Sequence, residues 1–194
     1  PMKPGIADDL DSLLVDFVLI PLPYVPKGHP HDVLFEDTYT CVVWSGHSQI
    51  GKTLSLDQYR ALGHVVVSFE PGRLVSFDEQ FGAEAGLERR VEVIAPSYHV
   101  LPDLVVGTER IATVQTRLAL KFARMFPLKL VPLPVPLPVL QEAVFWPTHL
   151  ERDPGHLWFR EVMKATAARL DRPSAVKVSS RGSSRGLRPL RRTS

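Results

Sequence analysis

Short apolar runs that stop at proline or glycine alternate along this chain with stretches of helical spacing. Asp8 to Leu14 reads as the end of a helix. Asp16-Phe17-Val18-Leu19-Ile20 is a compact apolar run halted by Pro21, the pattern of a buried strand. Four prolines between Pro21 and His31 predict a loop. Thr38 to Trp44, β-branched and aromatic, predicts a second strand. Ser55 is placed to cap a helix over Leu56–Leu62 with Gly63 at its end. His64 to Phe69, Arg90 to Ala95, Ile111 to Val114, Leu128 to Val131 and Glu142 to Trp146 read as further strands. Helices are expected over 74–86, 98–106 and Gln115–Met125, the first two closed by Gly86 and Gly107, with a last one from Asp153 and Pro154 to about Leu170. Prolines at 132, 134, 136 and 138 remove every second ladder donor, so that stretch is an extended crossing segment. Strands alternating with helices over short loops predict an α/β fold with a mostly parallel sheet.

Charge changes this picture at one end. The chain carries 23 Lys and Arg against 21 Asp and Glu, a formal +2. The last 22 residues hold Lys177, Arg181, Arg185, Arg188, Arg191 and Arg192 and no acid, so the rest has 17 basic against 21 acidic residues. A folded nucleic-acid reader carries its basic excess on the body. This body is mildly acidic, and residues 171–194 read as a disordered basic tail. No apolar run reaches the roughly 18 residues of a membrane-spanning helix. Together with the lack of a signal-peptide pattern, this predicts a soluble, cytoplasmic protein with no membrane contact. The single cysteine, Cys41, excludes an internal disulfide and a cysteine-based zinc site.

Candidate chemistry is sparse. Gly46-His47-Ser48-Gln49-Ile50-Gly51-Lys52-Thr53 fits the phosphate-cradling pattern G-x-x-x-x-G-K-[ST]. That chemistry needs Lys52 and Thr53 in the first turn of a helix, and the capping residue here is Ser55, two positions later. A small nucleotide-binding enzyme is therefore the alternative reading, and a polar surface loop the plainer one. The overlapping Gly46-His47-Ser48-Gln49-Ile50 misses the nucleophile elbow G-x-S-x-G, because bulky Ile50 stands where the strained turn requires glycine. His29 with His31, and His149 with His156, lack the carboxylate or cysteine company of a metal site. No cofactor and no metal are expected.

Four stretches in order carry a resemblance: Asp16 to Pro23, Gly63 to Val67, Leu101 to Val114, and Phe145-Trp146 followed by Arg152 to Trp158. Together they resemble the effector-binding domain of LysR-type transcription regulators. The likeness is to the branch with NodD-type nodulation regulators and regulators answering salicylate or nitroaromatics, and it covers about residues 9–170. It implies a fold like a type 2 periplasmic binding protein, two α/β lobes joined by two crossover strands with an inducer between them. Lobe I would comprise 1–39 plus 113–170 and lobe II 40–112, with hinges near Tyr39–Cys41 and Ala112–Thr113. The family's DNA-reading head and the first βα unit of lobe I have no counterpart in this stretch, which leaves a truncated, non-functional product as a further alternative. The resemblance implies no catalysis, an aromatic or flavonoid-like effector, homodimers or higher oligomers through lobe surfaces, and DNA contact only through a separate N-terminal domain.

Cleft residues belong at the carboxyl ends of strands and at helix starts. That places Leu22, Pro23 and Tyr24 after the first strand, Ser97 and Tyr98 after Pro96, Thr113 and Val114 at the second hinge, and Phe145 at the end of a lobe I strand. His64 begins a lobe II strand at a position where the family puts a pocket residue. Each has a plain alternative: Phe145 as core, His64 as a hydrogen-bonded structural histidine, Ser97 as a helix cap.

Overall fold

The computed structural model describes residues 15–68, 82 and 84–170. The expected helix end at 8–14, most of 74–86 and the basic tail lie outside the described residues.

Two sheets organise the chain. The smaller contains β1 (Val18–Pro21), β2 (His31–Asp37) and β8 (Leu140–Phe145) in the order β1-β8-β2, both pairings antiparallel. The larger contains β3 (Tyr39–Trp44), β4 (Gly63–Val67), β5 (Arg90–Ala95), β6 (Ile111–Gln115) and β7 (Leu128–Val131), in the order β5-β4-β6-β3-β7. Here β4 runs parallel to β5 and β6, while β3 is antiparallel to β6 and β7. The mostly parallel sheet expected from the alternation is therefore corrected: four of these six pairings are antiparallel. The segments that carry the chain between the sheets run against their neighbours, which a count of alternating elements does not register.

β2 is a strand that the hydrophobic pattern misses. Its sequence HDVLFED is charged at Asp32, Glu36 and Asp37 and reads as loop, yet it forms an edge of the smaller sheet. Edge strands are where charge is tolerated, because one side meets solvent rather than another strand.

The helices follow their local signals. α1 (Leu56–Ala61) starts at Ser55, whose hydroxyl accepts from the Gln58 N–H while the Gln58 side chain accepts from the Ser55 N–H, a reciprocal capping box. α4 (Pro154–Ala167) starts at Asp153, whose carboxylate accepts from the His156 N–H at 2.9 Å. α2 (Leu101–Val105) is followed by Gly107 at φ +73°, a left-handed stop that glycine takes at no steric cost. Gly63 does not close α1 as expected. It is the first residue of β4, and the Glu92 carboxylate fills the space a Cβ would occupy.

Each face of the larger sheet is buried. One face packs Val42, Val65, Val67, Ala112 and Val114 against α2 and α3 (Thr116–Met125), through Leu101, Val105, Ala119 and Phe122. The other packs Cys41, Val43, Ile111 and Val131 against Tyr59 of α1, Ile50, Leu54 and Leu87.

Candidate functional site

The carboxyl ends of β4, β5 and β6 meet at one edge of the larger sheet. The Ser68 N–H donates to the Ala95 carbonyl at 3.0 Å. Ser97 caps the turn Tyr98–Val100 by accepting from the His99 N–H at 3.3 Å. Tyr98, half-buried, accepts at its hydroxyl from Gln115 Nε2 at 3.3 Å, so it lies over the end of β6. The Gln115 side-chain oxygen is buried and has no hydrogen-bond donor among the described residues.

Both passages between the sheets run beside this edge. The first is Asp37-Thr38-Tyr39. The Thr116 N–H donates to the Thr38 carbonyl at 2.7 Å, and the two threonine hydroxyls share a hydrogen bond of 2.8 Å. Buried Asp37 accepts from the Thr38 N–H at 2.8 Å and from the Arg117 N–H at 3.3 Å, and so caps α3 from the other sheet. The Arg117 guanidinium donates to the Glu36 carbonyl at 3.1 Å and the Leu170 carbonyl at 2.7 Å. The second passage is the proline-rich stretch 132–139, whose Leu133 and Leu137 pack with Tyr24, Tyr39 and Leu140.

These positions sort the expected residues. Tyr39 stands at a passage. Cys41, Ala112 and Thr113 do not: Cys41 pairs with Thr113 on one side and Val131 on the other, and Ala112 pairs with Val42, all inside the larger sheet. α3 and β7, expected with the first lobe, pack on the larger sheet, so the chain returns to the smaller one after Val131. Ser97 and Tyr98 lie at the carboxyl edge. Tyr24 joins the passage cluster and also touches Ile20 and Phe145, while Leu22 and Pro23 form the turn that carries it.

Four residues are corrected. His64 lies at the amino end of β4, away from the carboxyl edge, and is fully buried. Its Nε2–H donates to the Tyr59 carbonyl at 2.6 Å and its ring meets the Tyr59 ring edge-on at 4.5 Å. Thr113 and Val114 point to opposite faces of β6, as neighbours on a strand must. Thr113 is bonded to the Tyr59 hydroxyl at 2.9 Å, and Val114 is core. Phe145 is fully buried with Ile20. Gln115, in sequence the start of a helix, is the edge residue that the pattern misses. The alternation of β6 runs one position further than expected.

Burial shifts three ionisable groups. Desolvation pushes the Cys41 thiol up to about 12, against a bond from Thr113 that works the other way. Burial lowers His64 to about 4, opposed by its bond to Tyr59 and assisted by Arg89 and Arg90. Burial raises the Glu142 carboxyl to about 7. For Cys41 this predicts inertness. A thiol pushed from 9.0 to about 12 has on the order of a thousandfold less thiolate, and the thiolate is the reactive form. A chromogenic disulfide reagent will leave the folded protein unlabelled and label it promptly in denaturant. Prompt labelling of the folded protein will show that β3 opens.

The phosphate-cradle look-alike holds its own chain. Ile50 and Leu54 are core, His47 is buried with Nε2 on the Glu109 carbonyl at 3.2 Å, and Lys129 donates to the Ile50 carbonyl. Lys52 and Thr53 precede the Ser55 cap, outside the six-residue α1. Ser48 donates its N–H to the Glu109 carboxylate at 3.4 Å. Among the described residues, no group of three or more His, Cys, Asp or Glu side chains is placed to hold a metal ion. No described helix is long and apolar enough to cross a membrane.

Residues 3–168 match the family model of the LysR substrate binding domain. Nodulation protein D 1 of Mesorhizobium japonicum is 39% identical over 176 residues, covering 89% of this chain and 56% of that protein. Nodulation protein D 1 of Rhizobium tropici is 40% identical over 174 residues, 88% of this chain and 56% of its own length. Among solved structures, the regulatory domain of MexT, a transcriptional activator in Pseudomonas aeruginosa, superposes with a TM-score of 0.68 at 23% identity, over 81% of this chain and 76% of that one. A protein from Vibrio parahaemolyticus described as a transcriptional regulator gives 0.73 at 20% identity, over 86% and 77%. The chain spans just over half the length of the nodulation proteins it matches.

Proposed function

This chain belongs to the family of LysR substrate-binding domains, and on that premise we propose that it is a non-catalytic sensing module of a bacterial transcription regulator. Its effector is a small aromatic molecule of the hydroxybenzoate, nitroaromatic or flavonoid kind. The ligand sits where the carboxyl edge of the larger sheet faces the passages, against Ser97, Tyr98, Gln115 and Tyr24. The observation that carries this reading is the buried Gln115 oxygen without a donor, beside the Tyr98 hydroxyl. A buried acceptor left unpaired is costly, and a phenolic hydroxyl of the ligand supplies the donor. Ser97 and the turn behind it add polar partners at the same edge.

Binding shifts the angle between the sheets only to the extent that the ligand prefers one arrangement. In the whole regulator that angle passes through subunit contacts to DNA-binding segments elsewhere, in the cytoplasm. A nucleotide-binding enzyme is the weaker reading, because the loop at 46–53 is occupied by its own packing.

Thermal-shift titration with hydroxybenzoates, nitroaromatics and flavonoids tests the proposal. At about 100 times Kd a ligand adds roughly 2.7 kcal/mol, a rise of several degrees in Tm. Gln115→Leu and Tyr98→Phe are expected to weaken binding about 2- to 10-fold each, the worth of one neutral hydrogen bond. A folded sample that responds to none of the three ligand classes will overturn the reading.

A further inference from the structure

The two passages between the sheets are built differently. On the way out, Thr38 alone separates the rung Asp37↔Leu140 of the smaller sheet from the rung Tyr39↔Gln115 of the larger one. On the return, the chain leaves β7 at Val131 and enters β8 at Leu140, with prolines at 132, 134, 136 and 138 between them. A proline ring fixes its own φ at about −65° and bars the residue before it from the helical region. Every position from 131 to 138 is a proline or directly precedes one, so all eight torsion pairs are restricted.

Packing restricts the run further. Leu133, Val135 and Leu137 lie against the core of the larger sheet that holds Cys41, Val43 and Val131. Leu133 and Leu137 also pack with Tyr39 at the start of β3. The prolines have no N–H to give a ladder, so side chains fasten the run. That attachment ends at Val139, which is 50% exposed, precedes no proline and comes directly before the paired Leu140. Val139 and Thr38 line one notch of about 380 Å³ with Glu36, Asp37, Arg117 and Leu120. One residue from each passage therefore stands beside the other, at the point where both sheets end.

We propose that residues 132–138 form a rigid strap carried by the larger sheet, so that the sheets turn about one short axis through Thr38 and Val139. A crossover of ordinary residues spreads a change of angle over many soft torsions. Here the return passage concentrates it in Val139, and the travel is correspondingly small. The bonds from Thr116 to Thr38 and from Arg117 to Asp37 and Glu36 lie beside that axis, where a rotation displaces atoms least. They hold the pivot together in both arrangements. The axis belongs to the chain itself and is independent of the molecule bound at Tyr98 and Gln115.

Pulsed electron resonance between spin labels on the full chain, without added ligand, tests the strap and the pivot separately. Asp103→Cys on α2 and Ala165→Cys on α4, both exposed, report the distance between the sheets. Asp103→Cys with Lys52→Cys, both on the side of the larger sheet, gives the width due to the labels. Cys41 is buried and stays unlabelled. The sheet-to-sheet distribution is expected to be wider than the label width. Val139→Pro, which locks its own φ and restricts Pro138 in turn, narrows it toward that width. Pro134→Gly with Pro136→Gly widens it by about half or more, since glycine restores the freedom that the rings remove. A parent distribution no wider than the label width, or one that Val139→Pro leaves unchanged, overturns the pivot. A glycine pair with the parent's width overturns the rigid strap. Should the glycine pair lose its native circular dichroism, Pro134→Ala with Pro136→Ala carries that arm, and a width equal to the parent's counts against the strap. Should Val139→Pro fail to fold, Val139→Gly is expected to widen the distribution, and an equal width counts against the pivot.

Discussion

His64→Gln is expected to remove about 3 kcal/mol of acid sensitivity between pH 6.5 and pH 4. The folded protein holds the imidazole neutral down to about pH 4, against 6.5 for a free histidine, because burial penalises the charged form. Withholding the proton across one pH decade of that interval is worth about 1.4 kcal/mol. Between those two values the unfolded chain binds a proton that the folded protein refuses, so stability falls as pH falls through the window. Above pH 6.5 the contribution is fully present; below pH 4 it has been lost. Arg89 and Arg90 reinforce the refusal and Glu92 opposes it. Glu142 acts in the opposite sense over an overlapping range. Its carboxyl is raised to about 7, so it costs stability as pH rises from 4.5 through 7. The net pH profile of the protein therefore blends the two, and only the difference between the parent and His64→Gln isolates the imidazole. Glutamine keeps a donor for the Tyr59 carbonyl while removing the titration. Urea unfolding at about pH 7, 5.5 and 3.5, values that bracket the window, measures it. Parallel profiles for the two proteins will show that His64 is protonated in the folded state without cost.

The same histidine marks where sequence reasoning stops. His64 begins a strand, and family likeness places a pocket residue there. Which end of that strand faces the cleft depends on pairing with β5 and β6, and those partners lie far along the chain, at Arg90 and Ile111. Local signals, by contrast, are legible because their partners are local. The Ser55 to Gln58 box, the Asp153 cap and the glycine stop at Gly107 all act within a few residues. β2 is illegible because its charge is that of an edge, and being an edge is a property of the sheet rather than of seven residues. The site divides the same way. Ser97 and Tyr98 follow a proline-stopped strand, and that local signal alone points to them. Gln115 is defined by reaching Tyr98 across the sheet edge, and the helical spacing after it conceals the last residue of β6.

Asp37→Ala is expected to destabilise the protein by about 1–2 kcal/mol and to loosen the first turn of α3 before the rest of the fold. α3 begins without a cap of its own, since Gln115 at its N-cap position offers no side-chain bond. The cap comes instead from Asp37, 80 residues earlier, at the end of the smaller sheet. A carboxylate there answers a free N–H and the positive end of the helix at once, and it also fixes the Thr38 N–H at 2.8 Å. Alanine removes this acceptor from the N–H of exposed Thr38 and from the N–H of half-buried Arg117. It also removes one of the links that tie the two sheets together at their first passage, where the Thr38–Thr116 hydroxyl bond and the Arg117 contacts to Glu36 and Leu170 remain. Asp37→Asn keeps an acceptor oxygen without the charge and should recover roughly half of the loss. Urea unfolding gives the totals, and amide exchange locates them. Thr116 to Ala119 should exchange faster in Asp37→Ala while β4 and β5 keep their protection, because those strands unfold only with the whole larger sheet. A loss below about 0.5 kcal/mol with unchanged exchange in α3 will mean that water caps the helix as well as Asp37 does. In that case the passage is held by its threonines and Arg117, contacts that the ligand proposed at Tyr98 and Gln115 would lie beside.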